Sequence, residues 1–197
     1  MNICALFGGP HAKGNTATLL EEVLKGANST GHETKRLDLK DMDIQPCKGC
    51  LACKKPHATG CVQKDDMPQV LAAVREADLL IFATPMYWWN LTGPLKNAVD
   101  RFFALPFNAV SGESAFAGKK LLLVMTSGQP SASDGREGLE LILKKMCSFT
   151  GMQWCGVVTA GTNAAPYRSS RTHSWPHAKR ARRCSPDGVR PPSSDLK

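Results

Sequence analysis

Cys47, Cys50, Cys53 and Cys61 form the densest group of metal-ligating side chains in this 197-residue chain. Thiolates three residues apart can converge on one metal centre. Zinc sites usually pair two separated C-x2-C units. Three cysteines at successive x2 spacing, with a fourth nearby, look more like a 4Fe–4S ligand set. The seven-residue gap before Cys61 and the valine after it depart from the bacterial ferredoxin run. A zinc knuckle, a redox-active thiol group and reduced cysteines in a packed loop remain open alternatives. Lys48, Lys54, Lys55, His57 and Lys64 surround the group and would favour thiolates and raise a cluster's potential. The bland alternative is a solvated basic loop.

A second feature is Gly8-Gly9-Pro10-His11-Ala12-Lys13-Gly14-Asn15-Thr16, between an apolar run and a helical period. A helix N-terminus there offers unpaired N–H groups and a positive dipole end, which suit an anion. The dinucleotide fingerprint G-x-G-x-x-G is not met. The nucleoside-triphosphate loop nearly fits Gly9–Thr16, but Asn15 stands where the lysine reaching the β/γ-phosphates belongs. Gly9, Asn15, Thr16 and backbone amides suit one terminal phosphate monoester, with Lys13 or His11 adding charge. An ordinary βα turn is the alternative.

Two further loops carry ligand-facing chemistry. Pro85-Met86-Tyr87-Trp88-Trp89 follows an apolar run, and three adjacent aromatics cannot all face one core. Their stacking surfaces and polar tips suit a flat heteroaromatic ligand; a patch at an oligomer interface is the alternative. Thr126-Ser127-Gly128-Gln129-Pro130 ends another apolar run. In an open α/β sheet, ligands bind beyond the carboxyl ends of the strands. The three loops therefore describe one site for a phosphorylated planar cofactor, and FMN fits better than a dinucleotide. Backbone N–H groups after the third and fourth strands are expected to face the ring's N1/O2 edge. No catalytic side chain is assigned.

The elements that must position these loops follow from periodicity. Strands are expected at Ile3–Phe7, Thr34–Leu39, Leu79–Ala83, Leu121–Met125 and Gln153–Thr159. Helices are expected from about Ala17, over Pro68–Ala77, from a Thr92 cap through Phe103 and over Glu137–Phe149. Residues 41–66 form an irregular cysteine-bearing loop. Strands alternating with helices imply an α/β fold, a parallel sheet covered on both faces. Cys4, Cys147 and Cys155 lie singly in apolar stretches and read as small core residues.

Composition bounds the function. No apolar run approaches the ~20 residues needed to span a bilayer, and no secretory signal opens the chain. Cysteines in that setting point to a reducing, cytoplasmic compartment. The net charge of +8 invites a nucleic-acid reading. Residues 164–197, however, hold eight basic and two acidic residues and five of the thirteen prolines, so the rest is nearly neutral. This tail reads as disordered or aberrant. Nucleic acid is therefore not expected as the main partner.

Together these residues resemble the flavodoxin-like NAD(P)H-dependent FMN reductases, most closely their iron–sulfur flavoprotein branch. Gly9-Pro10…Gly14-Asn15-Thr16 is similar to the family's phosphate loop, although serine is usual at Gly9. Thr84-Pro85-Met86-Tyr87-Trp88 is similar to the isoalloxazine loop, and Leu95-Lys96-Asn97…Asp100-Arg101 to the helix after it. Cys47-Lys48-Gly49-Cys50…Cys53…Cys61 with Lys64-Asp65-Asp66-Met67 is similar to the branch's cysteine segment. The resemblance implies a five-stranded parallel sheet of order 2-1-3-4-5 over residues 1–163. It also implies FMN, NAD(P)H as donor, a small-molecule or protein electron acceptor, and a homodimer or homotetramer. An electron carrier without direct NAD(P)H turnover, or a nucleic-acid module using the tail, would be the alternatives. The family continues past Asn163 into a fifth amphipathic helix, and residues 164–197 lack that pattern. A shifted reading frame near residue 164 would explain the change; a native tail binding RNA or acidic lipid is the alternative. Apolar sheet surface is expected to be left open.

Overall fold

The computed structural model describes residues 1–107, 114–128 and 135–162. Expectations about residues 163–197, and about Gln129 and Pro130, lie outside the described residues. Five strands alternate with four helices: β1 (Asn2–Phe7), α1 (Asn15–Asn28), β2 (Glu33–Asp38), α2 (Met67–Glu76), β3 (Leu79–Pro85), α3 (Gly93–Arg101), β4 (Lys120–Ser127), α4 (Glu137–Thr150) and β5 (Gln153–Gly161). Short 3-10 turns cover Leu39–Asp41, Ala52–Lys54 and Phe102–Ala104.

The sheet is parallel throughout, in the order β2-β1-β3-β4-β5. Hydrophobic content dictates that order. β3 and β4 are continuous apolar runs, buried on both sides, and can only be central. Full burial of each such Leu, Ile or Phe stabilises by roughly 1.5–3 kcal/mol. β2 (Glu-Thr-Lys-Arg-Leu-Asp) is charged and half exposed, which suits an edge.

Period-2 alternation splits the strands between two cores. On one face α1 (Leu20, Val23) packs on Ala5, Phe7, Ile81 and Val124. On the other, α2, α3 and α4 (Val74, Leu95, Leu143) cover Leu6, Phe82 and Leu123. On the α1 face Leu122, Val124 and Val158 are buried, and an apolar recess between α1 and the sheet is lined by Ile3, Val23, Ala27, Leu79, Ile81 and Leu122. α1 packs against β2, β3 and β4, so one helix reaches across much of that face.

Most boundaries move by one to three residues. α1 starts at Asn15, not Ala17, because Gly14 already serves as its N-cap. α3 ends at Arg101, and its last turn tightens into the 3-10 turn Phe102–Ala104. Thr92 occupies the N-cap of α3, but its hydroxyl makes no capping bond. It donates to the Gly8 carbonyl at 2.8 Å instead. Cys4 and Cys147 are buried as expected, and Cys155 is half buried. Among the described residues no helix is long and apolar enough to cross a membrane.

Candidate functional site

The parallel register brings the carboxyl ends of β1, β3 and β4 to one edge. Phe7 pairs with Ala83, and Pro85 with Thr126. A cleft of about 220 Å³ opens there. Gly9, His11, Asn15 and Thr16 line it from the first loop. Pro85, Met86 and Tyr87 line it from the loop after β3, and Thr126, Ser127 and Gly128 from the end of β4. Lys13 and Trp88, expected at the same site, are exposed and do not line the cleft. Pro10 and Gly14 of the expected phosphate loop line it too, whereas Phe7 and Thr162 line it without having been anticipated. Phe7 and Thr162 end or follow strands, and only the register shows that they reach this edge.

Close packing shapes the first loop. A Cβ on Gly8 would sit 2.5 Å from Thr92 Oγ1, and one on Gly9 would sit 2.5 Å from the Phe7 ring. Neither position admits a side chain without displacing Thr92 and Leu95 in the one case or the Phe7 ring in the other. The helix the loop feeds has no side-chain cap and no acidic residue in its first turn. A helix start without a carboxylate, opening into a cleft, is suited to an incoming anion. This is the feature that fits a phosphate monoester such as that of FMN.

Thr16 and Thr126 join the first and third loops through their hydroxyls, 2.6 Å apart and buried. That bond consumes one of two hydroxyl protons, leaving one to donate to a bound oxyanion. Thr162 N–H and Oγ1 both donate to the Ser127 carbonyl, at 2.8 and 3.0 Å, and brace the end of β4.

The aromatic loop differs from expectation in two ways. The amides of Met86 and Tyr87 are already committed, to Thr126 O at 2.8 Å and Asn90 O at 3.2 Å. They cannot serve a ring's N1/O2 edge without breaking those bonds. Asn90 N–H also returns to Tyr87 O at 3.0 Å, closing a two-residue turn. Its central residues, Trp88 and Trp89, both take left-handed backbone, φ 49° and 58°. Left-handed backbone costs a non-glycine residue roughly 1 kcal/mol or more. The turn holds Trp88 almost wholly in solvent, 90% exposed. Its ring meets Trp89 edge-on at 6.2 Å.

The four cysteines are not drawn together as a ligand group. Among the described residues no three His, Cys, Asp or Glu side chains are grouped to hold a metal ion. Cys47 and Cys50 are exposed, whereas Cys53 and Cys61 are half buried against the core. The segment in this conformation does not fit a cluster held by all four. Of its lysines, Lys54 is tied down, donating to Leu105 O at 3.0 Å with Nζ 4.6 Å from the Phe103 ring centroid.

Sequence reasoning missed Arg101. A charged residue six positions after Leu95 reads as solvated surface, yet its side chain is 1% exposed. It grips the equally buried Asp65 through its two terminal guanidinium nitrogens, at 2.6 and 3.0 Å. That contact holds the Asp65 carboxyl below the usual carboxylate range, helped by N–H groups of Gln45 and Met67.

A 2-1-3-4-5 sheet with an anion-ready helix start and an aromatic loop on one edge defines a flavodoxin-like α/β fold. The chain belongs to the NADPH-dependent FMN reductase family, which it matches over residues 1–157. It is 44% identical over 101 residues to an iron-sulfur flavoprotein of Archaeoglobus fulgidus, covering 51% of this chain and 48% of that protein. The chain spans about half the length of the first curated relatives it matches. Among solved structures it resembles an NAD(P)H:quinone oxidoreductase from Methanothermobacter marburgensis, with TM-score 0.61, 19% identity and 93% of each chain covered. It also resembles an FMN-dependent NADH-azoreductase from Bacillus anthracis in complex with FMN, with TM-score 0.62 and 16% identity, covering 83% of this chain and 89% of that one.

Proposed function

We propose that residues 1–163 form the FMN-binding domain of an NAD(P)H-dependent oxidoreductase working in the cytoplasm as a homodimer or homotetramer. The carrying observation is the cleft where three strand-end loops meet the uncapped start of α1, in a chain of this family. FMN, when bound, supplies hydride acceptance from NAD(P)H and onward release of electrons.

The chain's own part is positional. Amides of the first turn of α1, with Asn15 and the spare hydroxyl proton of Thr16 and Thr126, hold the phosphate. Pro85, Met86 and Tyr87 form one wall for the planar ring, and Thr126, Ser127 and Gly128 the other. The half-exposed ring of Tyr87 offers stacking surface within the cleft lining. Fixing the reacting atoms in line does the work here, so no acid–base side chain is assigned.

The test is the absorption spectrum of anaerobically purified protein, followed by NAD(P)H oxidation with ferricyanide as acceptor. Flavin bands and turnover are expected. A colourless protein that stays colourless with added FMN overturns the reading. The likeness to proteins named iron-sulfur flavoproteins favours a second one, an electron carrier that holds FMN without oxidising NAD(P)H directly. Bound flavin that NAD(P)H leaves oxidised would select it.

A further inference from the structure

Residues 46–64, which carry all four cysteines, leave the body through a narrow neck and return through it. Asp66 N–H donates to Asp43 O at 2.8 Å, and Asp43 N–H to Asp66 Oδ2 at 2.9 Å. Gln45 N–H donates to Asp65 Oδ2 at 3.1 Å. These bonds close the neck on itself.

One helix holds the neck from outside. Arg101, the last residue of α3, binds Asp65 with both terminal nitrogens and donates to Gln45 O at 2.8 Å. It therefore grips the outgoing and the returning strand of the segment together. Cys61, four residues before Asp65, is half buried against the core. Arg101 Nε is buried without a hydrogen-bond partner. Four residues earlier on α3, Asn97 Nδ2 donates to Ile44 O at 3.2 Å. The opposite end of α3 is tied to the loop that lines the cleft, because Thr92 at its N-cap donates to Gly8 O. Nine residues of helix, roughly 13 Å of rise, separate the two attachments.

We infer that Arg101 is the positioning residue of the cysteine segment, fixing its neck, and through the neck the half-buried Cys61, to the helix that also braces the first loop of the cleft. A buried guanidinium costs several kcal/mol to desolvate, and only its bonds offset that cost. Here the pairing is spent on the two ends of one loop. α3 thereby acts as a strut that sets the segment at a constant offset from the cleft. Only this coupling, and not the grip of Arg101, rests on the cleft being the FMN site.

The test is site-resolved alkylation of the full chain as isolated, read by mass spectrometry, with FMN affinity measured separately. Loss of the clamp permits local opening of the segment alone. In Arg101→Gln, alkylation of Cys61 is expected to rise by about tenfold or more. Cys4 and Cys147 serve as internal controls and stay at the wild-type rate, and FMN affinity stays within about twofold. Arg101→Lys, which keeps a cation, recovers part of the protection. An unchanged Cys61 rate overturns the inference. So does a rise shared equally by Cys4 and Cys147, which would mark general loosening. Should Arg101→Gln fail to fold, Asp65→Asn carries the same expectation at about threefold, and no change at Cys61 in it overturns the inference. Failure to bind FMN with Cys61 protection intact would count against the cofactor site and leave Arg101's role standing.

Discussion

Thr92 and Gly8 meet across 84 residues of chain, the threonine hydroxyl donating to the glycine carbonyl at 2.8 Å. The contact replaces the helix cap that Thr92 was expected to provide. It ties the loop after β1 to the start of α3. It also leaves no room for a side chain on Gly8, whose Cβ would lie 2.5 Å from that hydroxyl oxygen. Gly8→Ala should therefore cost about 1–3 kcal/mol, as overpacking against backbone-fixed neighbours does. Thermal melting should fall by about 5 °C, and FMN affinity should fall with it. An unchanged melting temperature would mean that the two loops adjust independently.

Thr16 and Thr126 share one hydrogen bond and keep one spare hydroxyl proton between them. Thr16→Val removes both the link and the spare donor. FMN binding is expected to weaken about tenfold, the worth of one lost bond to a charged group. Fluorescence titration reads this directly. Thr126→Val should weaken binding similarly, and the double variant should cost less than the two summed, because both act through one bond.

Asp65 is held ionised by Arg101, with its carboxyl below the usual range. A depressed carboxylate stabilises the fold above its unfolded value of ~3.9 and loses that contribution as pH falls through the lower folded value. The melting-temperature gap between wild type and Asp65→Asn should thus be full at neutral pH and still present at pH 5. It should close only as the pH drops below about 4. A gap that closes between pH 6 and 8 would implicate another group.

Burial pushes the thiols of Cys4 and Cys147 up to about 11. At pH 8 only about one in a thousand of each is thiolate. Iodoacetamide should then modify the exposed Cys47 and Cys50 far faster after chelator treatment. The rates at Cys4 and Cys147 should climb about tenfold per pH unit while the fold persists. Equal rates at all sites would indicate an open core.

Trp88 holds left-handed backbone while 90% exposed, with the edge-on contact to Trp89 as its ring packing. Asparagine adopts that backbone readily. Trp88→Asn should gain about 0.5–1 kcal/mol in urea melts. A flat aromatic electron acceptor should bind about fivefold more weakly, the worth of one stacking contact. Gain in stability with loss in binding is the signature of strain retained for use.

The five strands and four helices were legible because apolar period and glycine-rich turns report directly on burial. The three loops of the cleft were legible for a related reason: strand ends in a parallel sheet share an edge. What escaped were features that depend on partners far apart in the chain. Thr92 looks like any helix cap until Gly8 comes alongside. Arg101 reads as surface because charge usually is, and only the returning Asp65 makes its burial tolerable. The amides of Met86 and Tyr87 look available in a list of loop residues, but Thr126 and Asn90 occupy them. The cysteine spacing suggested convergence, yet spacing constrains a ligand set only where the backbone between the thiols is regular. Here that backbone includes left-handed Leu51 and His57.

The closed neck of the cysteine segment bears on how such a chain can be rebuilt. Asp43 and Asp66 are joined by two hydrogen bonds independently of whatever lies between them. The intervening stretch is thus a cassette on a fixed socket. Inserts of other lengths and chemistries can be grafted at its exposed Cys47–Cys50 end, while Cys53, Lys54 and Cys61 keep their places against the body. Loop-closure entropy sets only a slow penalty on insert length, about 0.6 kcal/mol for each doubling.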